Sequence, residues 1–323
     1  MVDSLNEKAP VVVFAYNRAD KIKSCIDSLL MCDGHEETEV FVYSDGAKGE
    51  NDSDAVRQVR MCLDSFEKEY GFKSLSIIKR EDNLGLAGNV ISGVSEVNKR
   101  YGKVIVLEDD LIVAADFLDF MNEALDFYEG DEDIWSVTGF SEPIGDFTGY
   151  GHDVYYSYRG SSYGWGTWSD RWESVDWDIK GYDKVMSDKT LRKNFERGGR
   201  DLTRILKDQR MGLVDSWAIR WCLSQSLQNK YTVYPVRSFI FNSGYDGSGT
   251  NAPKPENMNS NPHIYGEKVK LEHLAPDERI CRDFYRYYSS FIKRGVRNLN
   301  VAGMQRILRR ISCSKARKKE AEV

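Results

Sequence analysis

Three consecutive carboxylates, Glu108-Asp109-Asp110, follow the apolar run Val104-Ile105-Val106-Leu107. Like charges this close repel and raise one another's pKa. A divalent cation removes that cost, and Mg²⁺ or Mn²⁺ takes oxygen ligands that it commonly shares with phosphates. The apolar run is strand-like, and open α/β sheets bind ligands beyond the carboxyl ends of their strands. The triplet therefore fits a metal–diphosphate site. It also fits an acidic loop or a helix N-terminus, where negative charge is favoured.

Polar groups recur at other strand ends. Ala15-Tyr16-Asn17-Arg18 closes a strand that begins at Val11. Asp45 follows Val40-Phe41-Val42-Tyr43, where a carboxylate accepts hydrogen bonds from a nucleobase imide or a ribose hydroxyl. The other reading of Asp45 is a turn residue before Gly46. Arg80 to Gly85 follows Leu75–Ile78 and opens a helix, and helix N-termini with glycine nearby bind anions. Arg80 reads equally well as a surface arginine beside Glu81 and Asp82.

The elements that position these groups alternate. Apolar periodicity predicts strands at 11–16, 40–43, 75–78, 104–107 and 134–138, with helices at 20–31, 53–70, 86–101 and 115–128. This order predicts a mostly parallel sheet with helices on both faces. Beyond it, 155–172 is rich in Gly, Tyr, Trp and Ser and reads as a shaped loop. A helix is predicted over 213–228, a strand over 231–236, a flexible Gly/Asn/Pro-rich loop over 243–263, and a basic helical segment from about Asp277.

Composition narrows the classes. The 323 residues suffice for a sizeable core. No apolar stretch approaches the ~20 residues of a membrane-spanning helix, and Met1 to Pro10 lacks a signal-peptide core. Those features predict a cytoplasmic protein. The six cysteines contain no C-x-x-C pair, and the four histidines show no zinc-enzyme spacing. Residues 279–323 hold 13 Lys/Arg against 3 Asp/Glu, a net of +10. The whole chain is -6, so residues 1–278 carry -16. The acidic body argues against nucleic acid. The tail, with Val301, Met304, Ile307, Leu308 and Ile311 at helical spacing among arginines, fits an anionic membrane surface or packing on the catalytic body.

The pieces VVVFAYNRADKI, VYSDGAKG, REDNLGLAGNV and VIVLEDDLIVAADFL, in this order and spacing, resemble a GT-A glycosyltransferase of the family 2 type. The likeness is greatest to the N-acetylglucosaminyltransferase I type, whose metal motif is Glu-Asp-Asp, and it covers about residues 10–250. It implies an α/β fold: a Rossmann-like mixed sheet with helices on both faces, over residues 1–276. Residues 277–323 are expected to form a basic helical C-terminal extension. It implies that Asp110 coordinates Mn²⁺ or Mg²⁺ on the donor diphosphate, and that Asp109 and Glu108 contact ribose or metal-bound water. Asp45 would hold uracil, Ala15, Tyr16, Asn17 and Arg18 would line the base pocket, and Arg80 would approach base or phosphates.

The resemblance also assigns Trp165, in Gly164-Trp165-Gly166-Thr167-Trp168, to the sugar pocket, since tryptophan faces stack on sugar C–H surfaces. An ordinary aromatic core with Trp172 and Trp177 is the competing reading. Asp215 falls where these enzymes keep the catalytic base, with Asp208 in reserve, and Asp215 also suits a helix N-cap. Residues 244–251 resemble a loop that closes over the donor, with Asn251 where relatives place a metal-binding histidine. His263 and His273 are substitutes or surface histidines. The implied partners are a nucleotide-sugar donor, with a UDP-sugar favoured, and a saccharide or lipid-linked saccharide acceptor. Peripheral contact with the inner membrane face would come through the tail, and the product would be bacterial surface polysaccharide or lipopolysaccharide. Rival readings are a sugar-phosphate nucleotidyltransferase and a non-catalytic nucleotide-sugar-binding protein.

Overall fold

The computed structural model describes residues 7–66, 71–246 and 262–297. Four parallel strands come first: β1 (Val11–Ala15), β2 (Glu39–Ser44), β3 (Ser74–Lys79) and β4 (Lys103–Glu108). They alternate with α1 (Ala19–Leu30), α2 (Glu50–Phe66) and α3 (Gly85–Tyr101). The chain continues through β5 (Leu111–Val113), α4 (Phe117–Tyr128), β6 (Ile134–Thr138), β7 (Val154–Ser157) and β8 (Trp165–Trp168). Helices α5 (Ser169–Glu173), α6 (Tyr182–Ser187), α7 (Lys189–Phe195), α8 (Asp201–Arg210) and α9 (Trp217–Leu227) follow. Then come β9 (Tyr231–Pro235), β10 (Ile240–Asn242) and α10 (Glu278–Arg297).

Eight strands form one mixed sheet in the order β3-β2-β1-β4-β8-β6-β9-β7. Its central strands are covered on both faces, and their alternating side chains serve two separate cores. Val11, Val13, Ile105 and Leu107 pack with α1, α2 and α4. Val12, Phe14, Val104 and Val106 pack with α3 and with Trp165, Trp172, Trp217 and Trp221. Each such aliphatic side chain contributes roughly 1.5–3 kcal/mol on burial. The helices form because their apolar residues fall on one face: Ile22, Cys25, Ile26 and Leu29 in α1, and Val56, Val59, Leu63 and Phe66 in α2. Gly102 ends α3 at φ 78°, its N–H donating to the carbonyl of Asn98 at 2.8 Å.

The mixed α/β architecture with helices on both faces is as expected, and the first four strands and helices lie close to their predicted bounds. Two features differ. Segment 155–172 is no irregular loop: it supplies the whole of β8 and most of β7, every residue of both being buried. Strands covered on both faces lose the alternation that would mark them. Helix α9 starts at Trp217 rather than 213, because Ser216 caps it, its Oγ accepting from the Ile219 N–H at 3.3 Å. The cap role considered for Asp215 therefore belongs to its neighbour. Residues 247–261, most of the predicted flexible loop, lie outside the described residues, as do 67–70 and 298–323. Helix α10 packs Ile280, Phe284 and Tyr288 against Tyr155 and Tyr234 at the β7–β9 edge. Among the described residues, no helix is long and apolar enough to cross a membrane.

Candidate active site

The carboxyl ends of β1, β2 and β4 open on one edge of the sheet. Register sets them level, with Ala15 opposite Ser44 and Phe14 opposite Glu108. Everything that follows these ends is therefore gathered at that edge.

Arg18, at the start of α1, reaches across to the acidic triplet. Its guanidinium pairs with Asp109 and, at 3.0 Å, with the Oδ2 of Asp110. The three side chains are 22%, 5% and 13% exposed, so the pairing is largely shielded from water. Burial pushes the Asp109 carboxyl up to about 6, although Arg18 pulls it down. The Glu108 carboxyl is pushed up to about 8, by burial first and then by Asp110 and Asp109. Two carboxylates thus share one guanidinium, so negative charge remains uncompensated, while the Glu108 carboxyl beside them stays protonated below about pH 8.

Asp110 is held from a second direction. The N–H and Oγ of Ser243, just after β10, donate to its carbonyl at 2.8 and 2.9 Å. Lys21 of α1 donates to the Ser243 carbonyl at 2.9 Å. Gly244 then packs so closely that a Cβ there would lie 2.2 Å from Asp110 Oδ2. Any side chain at 244 would push this carboxylate aside. The small antiparallel β5–β10 pair fixes the arrangement, with Asn242 opposite Leu111.

The fit to a divalent cation follows from the donor set. Among the described residues, no group of three or more His, Cys, Asp or Glu is arranged to hold a metal. The triplet is all-oxygen, carries surplus negative charge and brings Asp109 and Asp110 together. That suits Mg²⁺ or Mn²⁺ held by one or two carboxylates, the remaining positions filled by phosphate oxygens and water. His263 supplies no ligand here: its Nε2 lies 2.8 Å from Asp116 Oδ2 and its ring stacks on Phe239. His273 is likewise paired, with Asp131.

Asp45 is 4% exposed and ties β2 to the loop before α3. The N–H groups of Gly46 and Leu84 donate to its Oδ1 at 3.0 and 2.9 Å, and Asn83 Nδ2 donates to its Oδ2 at 3.1 Å. Three of about four acceptor positions are filled. Arg60 of α2, which sequence reasoning missed, donates to the carbonyls of Asp45 and Arg80 and joins the ends of β2 and β3. No local pattern marks it, because it looks like any polar residue on a solvated helix.

Other predicted residues are placed differently. The Tyr16 hydroxyl donates to Asp52 at 2.8 Å and accepts from the Lys48 N–H, pinning the β2–α2 connection. Ala15 is buried and accepts the Asp45 N–H at 3.0 Å. Asn17 is half-buried beside Arg18. Arg80 turns to α3, donating to Ser92 Oγ at 3.2 Å and stacking over Tyr43. It is engaged there rather than presented as a free cation. Trp165 is fully buried and stacked against Trp172 and Trp217, so no ring face is left for a sugar. It belongs to the core, as Trp168 does, because both lie on a strand covered on both faces.

Asp215 stands two residues before Trp217, whose ring lies 5.0 Å from Trp165. Trp165 pairs with Val106, near the carboxyl end of β4. The N-terminus of α9 thus packs beside α3, on the face of the sheet that carries Val104 and Val106. Asp215 is 63% exposed and accepts from Arg220 at 2.6 Å. Asp208 lies within α8.

No curated protein matches. The chain is similar in structure to Staphylococcus aureus TarS, at 12% identity and a TM-score of 0.44, over 73% of this chain and 36% of TarS. It is also similar to the bifunctional glycosyltransferase WbbM, at 12% identity and a TM-score of 0.30, over 56% of this chain and 30% of WbbM. The chain thus spans about a third of the length of either. The model of the GNT-I family matches residues 1–206, well over half of the sequence and the whole of β1 to β8, and the chain belongs to this family of glycosyltransferases.

Proposed function

We propose that the chain transfers a sugar, with inversion, from a nucleoside diphosphate sugar to a hydroxyl acceptor. The single observation that carries the reading is the shielded Arg18–Asp109–Asp110 group at the carboxyl edge, level with buried Asp45. Asp45 keeps one acceptor position for a base or ribose, with uracil favoured. Asp110, with Asp109, would hold Mn²⁺ or Mg²⁺. When bound, that ion supplies charge neutralisation to the leaving diphosphate. Arg18 would add a second positive charge at the same place. Asp215 would take the acceptor hydroxyl proton as its oxygen bonds to the anomeric carbon, the old C–O electron pair leaving with the diphosphate. Its position at the start of α9 and its exposure support that role.

The acceptor we propose is a saccharide, free or lipid-linked, of the kind built into bacterial surface polysaccharide or lipopolysaccharide. The basic tail would hold the enzyme at the inner membrane face. Calorimetry of UDP with and without Mn²⁺ tests the site. Wild type should bind UDP more tightly with Mn²⁺, and Asp110→Ala should lose that gain. Asp215→Asn should keep donor affinity and lose turnover. Unchanged Mn²⁺ dependence in Asp110→Ala would remove the basis for the reading, and full turnover in Asp215→Asn would remove the base.

A further inference from the structure

A second concave site lies at the opposite edge of the sheet. Its volume is about 210 Å³, and its walls include Ser95, Asn98 and Lys99 of α3, Trp172 and Glu173 of α5, and Trp177. β4 separates it from the triplet. Lys103 starts that strand beside α5, paired with Trp168, and Glu108 ends it. Five steps of about 3.3 Å put the two sites roughly 17 Å apart.

Asn98 is the unusual member. It is 1% exposed, yet neither its side-chain oxygen nor its nitrogen has a hydrogen-bond partner. A buried amide left unsatisfied at both atoms is costly, and such groups call for an explanation. Nearby polar groups do not quench it. Ser95 is occupied, its Oγ accepting from the Trp172 indole N–H at 2.8 Å. Lys99 and Glu173 stand exposed at the rim and are in no ion pair among the described residues. Trp177 is half-buried and tilted against Trp172 at 4.6 Å, so part of its ring borders the opening.

We infer that this cavity binds one pyranose unit of a saccharide. An amide offers a donor and an acceptor side by side, which two neighbouring sugar hydroxyls satisfy together. The Trp177 ring matches the apolar C–H face of a pyranose, and Lys99 and Glu173 supply rim contacts to outer hydroxyls. Size selects the ligand. The volume is below the ~300–1,000 Å³ of pockets that take drug-sized ligands. A sugar ring is of that scale, and the site stands roughly 17 Å from the triplet. The site is thus separate from the donor site, and it can fail without affecting the proposed reaction.

Saturation-transfer NMR on the full chain tests it, with UDP and Mn²⁺ present throughout to occupy the donor site. The probes are methyl glucoside, methyl galactoside and methyl N-acetylglucosaminide, and linear tetrasaccharides of the same sugars. At least one methyl glycoside should receive saturation. Asn98→Leu and Trp177→Ala should each weaken it by about fivefold or more, as loss of a hydrogen bond or a stacking face predicts. Lys99→Ala, a surface change that leaves the core intact, should weaken it less. A tetrasaccharide that binds more tightly than its methyl glycoside supports a unit within a glycan chain, and equal binding supports a single sugar. The inference is overturned if no probe receives saturation, if leaving out UDP and Mn²⁺ is required for binding, or if both the Asn98 and Trp177 variants bind as wild type does.

Discussion

Arg18 is the residue on which the edge of the sheet balances. It is the cation paired with Asp109 and Asp110, and the buried Glu108 carboxyl lies beside them. Removing one partner of a buried ion pair costs about 3–5 kcal/mol, and less here, since 22% of the Arg18 side chain meets solvent. Arg18→Gln should therefore melt several degrees below wild type in EDTA. The freed carboxylates should also bind Mn²⁺ more tightly without nucleotide, because no guanidinium competes for them. Thermal unfolding with and without Mn²⁺ reads both effects: the variant's deficit should shrink as Mn²⁺ is added. A deficit that Mn²⁺ leaves untouched would mean that Arg18 only braces the loop. Arg18 was legible in the sequence as a polar residue after a strand. Its reach to the triplet was not, because 91 residues separate Arg18 from Asp109 and only the β1–β4 pairing brings them together.

At the scale of elements, α10 is joined to the sheet by a buried carboxyl. Glu142 follows β6 and is 4% exposed, and its Oε1 accepts from the Tyr288 hydroxyl of α10 at 2.5 Å. Arg159 stacks over the Tyr288 ring and pairs with Asp201, and the Tyr155 hydroxyl approaches the Glu142 N–H. Burial pushes the Glu142 carboxyl from its ordinary 4.5 up to about 7, against the Tyr288 hydrogen bond and Arg159, while Asp201 adds to the rise. Between those two values the folded state holds the extra proton. Stability is therefore fully present below about pH 4.5 and is lost as pH rises through about 7. At about 1.4 kcal/mol per pH unit, the loss reaches about 3 kcal/mol. Glu142→Gln should remove that slope. Its melting temperature should gain on wild type between pH 5 and 8, and a constant difference across that range would show that Glu142 does not titrate there. None of this was visible in the sequence, where Glu142 sits in an unremarkable Ser-Glu-Pro turn. α1 to α4 were legible because each buries one stripe. β7 and β8 were not, because Gly, Tyr and Trp buried on both faces show no period, which left the core reading of Trp165 without support beside the resemblance that assigned it to the sugar pocket.

The whole molecule divides by charge: residues 1–278 carry -16 and residues 279–323 carry +10. That division is legible from composition alone and needs no fold. What the fold adds is the place where the basic segment begins. α10 lies along the β7–β9 edge, with Ile280, Phe284 and Tyr288 turned inward. Arg279, Arg282 and Arg286 start the basic run there, with Arg286 paired to Asp283. Near an anionic surface each Lys or Arg contributes about 1 kcal/mol, and salt screens the attraction over about 8 Å at physiological strength. The chain should therefore sediment with phosphatidylglycerol vesicles at low salt and not with neutral phosphatidylcholine vesicles. Raising the salt should release it. Deleting residues 298–323 removes seven of the 13 basic residues and two of the three acidic ones, so the net falls from +10 to +5. Vesicle binding should drop steeply in that variant while Mn²⁺-dependent UDP binding stays unchanged, because the acidic edge belongs to the body. Equal sedimentation of the truncated and full chains would assign the tail to packing on the protein itself.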